Sequence, residues 1–72
     1  MKVLIVESRA KQAGNAMQEW AQTEGVTHTA HVQDAEQALI ALTARPDYTH
    51  VVIDGVSHDR HTAVGILRPT DD

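Results

Sequence analysis

The chain has 72 residues, ten acids against six bases for a formal charge of −4, and no cysteine. Disulfides and thiolate metal sites are thereby excluded, and an acidic chain with no basic run lacks the stripe that nucleic-acid phosphates require. Apolar runs such as VLIV and VVI fall far short of the ~20 residues of a membrane helix. VLIV is also too short for a signal h-region of about 7–15 residues, so a cytoplasmic protein is expected.

KVLIV, residues 2–6, is a continuous apolar run that suits a strand buried on both faces. Ser8 can cap a helix from Arg9 to Glu24. In it Ala13, Ala16, Met17, Trp20 and Ala21 recur at three- and four-residue spacing, and Gly25 supplies the stop. VTHTAHV, residues 26–32, is rich in valine and threonine and reads as the second strand. In DAEQALIALTARP, Asp34 and Gln37 stand as a capping-box-like pair ahead of the stripe Ala35, Ala38, Leu39 and Leu42, and Pro46 ends the helix. THVVID, Thr49–Asp54, is the third strand. A final helix runs from about Asp59 to Arg68, capped by Ser57 or Asp59 and closed by Pro69.

The order βαβαβα with short connections implies right-handed crossovers and an α/β fold. The expected sheet has three parallel strands in the order 2-1-3, with KVLIV central and the first two helices on opposite faces. A single domain of this length buries only about 60% of its unfolded surface. THVVID would then be an uncovered apolar edge, and such edges need a partner. A homodimer follows as the expectation, with Val51 and Val52 of that strand, Ala63, Val64 and Leu67 of the final helix, and Trp20 as the candidate interface.

KVLIVES, DAEQALIAL and PDYTHVVIDGVSHD, in this order and spacing, resemble the receiver domain of bacterial response regulators, the chemotaxis-regulator-like branch of the flavodoxin-like fold. The resemblance covers nearly the whole chain but only about the first half of a receiver. It implies a phospho-acceptor at Asp54 and a magnesium site to which Glu7 and Asp54 contribute, since phosphoryl transfer needs a cation with oxygen ligands. Three departures stand against that chemistry. Ser8 occupies the place of the second acid, His58 the place of the family's proline, and no lysine follows Lys11.

Other constellations carry less. His28 and His31 fall on opposite faces of a strand. His58 and His61 could meet Asp54 or Asp59 at a zinc ion, or could be two plain loop imidazoles. Ser8 reads as a helix cap rather than a nucleophile, and no glycine-rich phosphate loop is present. The function expected from the sequence is a non-enzymatic regulatory module in two-component signalling, a receiver-like homodimer that docks on and modulates a partner protein without a cofactor. The alternative is a phospho-accepting switch at Asp54 with magnesium.

Overall fold

A dipeptide decides the topology. Asp54 and Gly55 both take positive φ, +51° and +79°, and Ile53 pairs directly with Val56 across them. Two central residues with φ > 0 define the turn whose twist matches that of an antiparallel hairpin, and Asp-Gly is among its preferred sequences. The chain therefore reverses after the third strand and pairs with it.

The computed structural model describes residues 1–69. Its elements are β1 (Lys2–Val6), α1 (Ala10–Ala21), β2 (His28–Val32), α2 (Ala35–Ala44), β3 (His50–Ile53), β4 (Val56–Asp59) and α3 (Arg60–Leu67). The strand order is β2-β1-β3-β4. β1 is parallel to both β2 and β3, with Leu4 opposite Ala30 and Val51, whereas β4 is antiparallel to β3. The α/β class and the expected 2-1-3 order of the first three strands hold, but the sheet is four-stranded and mixed rather than three-stranded and parallel. The difference comes from residues 56–59, which continue as a strand because the Asp-Gly turn aims them back along β3.

Side-chain alternation divides the interior into two clusters. Leu4 and Val51 point to one face, where Ala38 and Leu42 of α2, Tyr48, and Ala63 and Leu67 of α3 close over them. Val3, Ile5 and Val52 point to the other, covered by Ala16, Met17 and Trp20 of α1 together with Val26. The first two helices thus lie on opposite faces as the periodicity requires, and α3 joins α2.

Side-chain caps set the starts of two of the three helices. Asp34 accepts the Gln37 amide at 2.9 Å, and Gln37 reaches back to the Gln33 amide at 3.0 Å, so two free N–H groups of the α2 start are satisfied reciprocally. Asp59 caps α3 by accepting from Thr62 N at 3.1 Å and from its hydroxyl at 2.6 Å. The α1 start departs from expectation: Arg9, not Ser8, is the N-cap residue, and its side chain makes no cap bond. The end of α2 is held from outside, because the Arg60 guanidinium donates to the carbonyls of Leu42 and Arg45. That contact clamps the start of α3 to the end of α2 and supplies partners for otherwise unpaired helix carbonyls.

Candidate functional site

The C-terminal ends of β1 and β3 lie side by side, with Val6 paired to Ile53. In open α/β sheets this end of the strands is where ligands bind. Here Glu7, Arg9, Gln12, Asp54 and Gly55 surround a hollow floored by Ile5, Val52 and Ala16, with a volume of about 170 Å³. That is below the ~300–1,000 Å³ of sites for drug-sized ligands or cofactors. The two carboxylates expected to converge, Glu7 and Asp54, do share this hollow.

Their states differ. The Glu7 carboxylate accepts Arg9 Nε at 2.8 Å and the Arg9 backbone N–H at 3.0 Å. The Arg9 side-chain bond, followed by the Arg9 amide, holds the Glu7 carboxyl below its ordinary range, and the same bond to Glu7 raises the Arg9 guanidinium. The charge of Asp54 also favours the cationic form of Arg9. The backbone carbonyl of Glu7 is engaged too, with His31 Nε2 at 2.7 Å. A cationic side chain from within the chain thus engages Glu7, while Asp54 lies near it without forming an ion pair.

Magnesium requires near-octahedral oxygen ligation. The set available at this place is two carboxylates, one of them already hydrogen-bonded by Arg9, with Ser8 in place of a third acid. Magnesium here would have to displace Arg9 from Glu7 and draw its remaining ligands from water. Among the described residues no group of three or more histidines or carboxylates lies together in a way that could hold a metal. His31 turns toward Glu7, whereas His28 sits beside Tyr48 with ring centroids 6.2 Å apart, as strand alternation requires. His58 belongs to β4 and His61 to α3.

The residues expected at an interface are placed differently from that expectation. β3 is an inner strand, so Val51 and Val52 are buried at 0% and 3% exposure within the chain itself. Ala63 and Leu67 belong to the same core, Val64 packs against it, and Trp20 packs against the Val3–Ile5–Val52 cluster. The edge on this side of the sheet is β4 instead, four residues long and carrying an exposed Val56. Among the described residues no helix is long and apolar enough to cross a membrane.

Two functional-looking features were missed from the sequence. Arg9 stands two residues after Glu7, a spacing whose meaning depends on where the helix starts. The outer face of α2 is the second. Seven of its ten residues are Ala, Leu or Ile and only Glu36 is charged. Leu39, Ile40, Thr43 and Ala44 line a shallow apolar hollow there, and Leu39 also borders a second hollow with Ala35, Glu36, Leu67 and Pro69. The signal was present as a helix in which Ile40 stands outside the stripe of Ala38 and Leu42 that faces the core. Compared with known proteins, the chain matches no protein-family model, no curated protein and no solved structure.

Proposed function

We propose that the chain is a non-enzymatic regulatory protein-binding module, a homodimer that docks on and modulates a partner protein, with α2 as its self-association surface. The carrying observation is Ile40, 64% exposed beside Leu39, Thr43 and Ala44 on the outer side of α2. Burial of such a side chain is worth roughly 1.5–3 kcal/mol, and two copies related by a twofold axis would each supply the same face. A small domain with a thin core gains from that cover. The arrangement around Asp54 favours the same reading, since its backbone forms the turn and the neighbouring carboxylate is engaged by Arg9. Dilution should shift the amide resonances of Leu39, Ile40, Thr43 and Ala44 and leave those of α1 in place. A spectrum unchanged by dilution, or shifts confined to β4, would contradict the assignment of the surface.

A second reading has one observation in its favour: Asp54 is exposed at the rim of the hollow that Arg9 also lines. In that reading Asp54 accepts a phosphoryl group, as the resemblance to receiver domains implies, with Arg9 as the neutralising cation. Treatment with a small phosphodonor should leave the intact mass unchanged under the first reading. A stable phosphoryl adduct that disappears in Asp54→Asn would favour the second.

A further inference from the structure

The Asp54–Gly55 turn has a chemical consequence apart from its geometry. We propose that it is a site of spontaneous succinimide formation and isoaspartate conversion, through which the β3–β4 hairpin loosens as the protein ages. In the forward step the Gly55 amide nitrogen attacks the side-chain carboxyl carbon of Asp54. A C–N bond forms, and the carboxyl OH and the amide hydrogen leave together as one water. Water then opens the five-membered ring at either carbonyl. One opening restores aspartate; the other breaks the original peptide C–N bond and leaves the main chain running through the Asp54 side-chain carbonyl. No oxidant or reductant takes part, and the final product has the mass of the starting chain.

Several observations select this residue. Asp54 is the only aspartate followed by glycine, and a glycine nitrogen is the least hindered nucleophile a chain can offer. Both residues are exposed, and apart from the two chain neighbours no heavy atom lies within 4 Å of the place where a Gly55 side chain would begin. The other described aspartates are followed by bulkier residues and have engaged carboxylates. Asp34 holds the Gln37 amide, Asp47 pairs with Lys2, and Asp59 holds Thr62. Asp54 takes part in neither of the ion pairs found among the described residues. Its φ of +51° is also a conformation L-residues adopt reluctantly, so local opening of the hairpin tip relieves it and frees the side chain to cyclise.

The product is incompatible with the fold around it. Isoaspartate adds one carbon to the main chain of a two-residue loop whose closure sets the β3–β4 register. Beyond that loop lie β4 and α3, which carries Ala63 and Leu67 into the larger core. Conversion should therefore loosen this C-terminal unit and uncover the β3 edge.

The test is to incubate the purified full chain for days at physiological temperature and pH. Isoaspartate is then mapped residue by residue by aspartate-directed proteolysis and electron-transfer fragmentation, with hydroxylamine to trap the succinimide. Product should accumulate at Asp54 severalfold faster than at Asp34, Asp47 or Asp59. Gly55→Asn, which keeps a residue tolerant of positive φ, should suppress it. The separated aged fraction should melt at a lower temperature and lose hydrogen-exchange protection across residues 56–67. Conversion at Asp54 no faster than at the other aspartates would overturn the proposal. So would an aged fraction with the melting temperature and protection of the fresh protein.

Discussion

On one face of the sheet two helices close over Leu4, Leu42, Tyr48 and Val51, while on the other α1 alone closes over Val3, Ile5 and Val52. The two faces share every β-strand, yet their covers are built differently. α2 and α3 are tied to each other by Arg60, which bridges the start of one and the end of the other, and each has an aspartate cap. α1 has no side-chain cap, and it is held mainly by Met17, Trp20 and its alanines. The clamped face should be the less forgiving of change, because tightly constrained packing relaxes least around a lost atom.

The largest break in that comparison is Leu42→Ala. Leu42 is 1% exposed within the two-helix core, and its truncation should cost about 2–5 kcal/mol, most of the stability of a domain this small. Urea denaturation should show a native state that is barely populated. A sharper comparison uses neighbours of one residue type on opposite faces. Val51→Ala and Val52→Ala delete the same atoms from residues buried at 0% and 3%. Each loses about 1.5 kcal/mol of transfer energy, and the cavity cost should fall mainly on Val51→Ala, bringing it to about 2–3 kcal/mol. Equal midpoint shifts in urea would show that the two covers are equally rigid.

Arg60→Ala should cost about 1–2 kcal/mol, since charge-assisted hydrogen bonds to two helix carbonyls are lost. Hydrogen exchange should quicken at the end of α2 and the start of α3 while α1 is unaffected. At the hairpin, Asp54→Asn should change stability by less than about 0.5 kcal/mol because asparagine suits the turn, whereas Asp54→Ala should lose about 1 kcal/mol to the positive φ.

The smallest effect is that of acid. Asp59 is held below its ordinary pKa by its bond from the Thr62 hydroxyl and then by the Thr62 amide, Asp47 by the Lys2 ammonium, and Glu7 by Arg9. Folded values below unfolded ones mean that the unfolded chain takes up protons first. This contribution is therefore complete above the unfolded carboxylate range of about 4 and is lost as pH falls through the lower folded values. Melting temperatures should be flat from neutral pH down to about 5 and decline below about 4, and Asp59→Ala should reduce that decline.

Much of the first half of the fold was legible from residues alone. The apolar run of β1, the Asp34–Gln37 cap and the alanine–methionine–tryptophan stripe of α1 are local signals, and the structure uses each where it stands. The hairpin was less visible because Asp54 ends an apolar strand in a setting that resembles an acceptor site. The Asp-Gly pair carries its own backbone meaning, and the four residues after it, Val-Ser-His-Asp, have little strand character without β3 beside them. Glu7 and Asp54 were correctly placed at adjacent strand ends. The pairing of Glu7 with Arg9 was not visible, because it depends on α1 starting at Ala10, one residue after the expected start at Arg9, with Arg9 in the cap position given to Ser8. Arg60 was equally hidden, since a helix end capped from another element leaves no local trace.

With β3 covered by β4, the outer face of α2 becomes the surface on which the functional account rests. Sedimentation equilibrium over a range of micromolar concentrations, run on the native chain and on Ile40→Lys, tests it most directly. The account predicts a dimer for the native chain, and a folded monomer for Ile40→Lys because its charge would be buried against its twofold mate. A native chain that sediments as a monomer throughout, or a variant that remains dimeric, would contradict it.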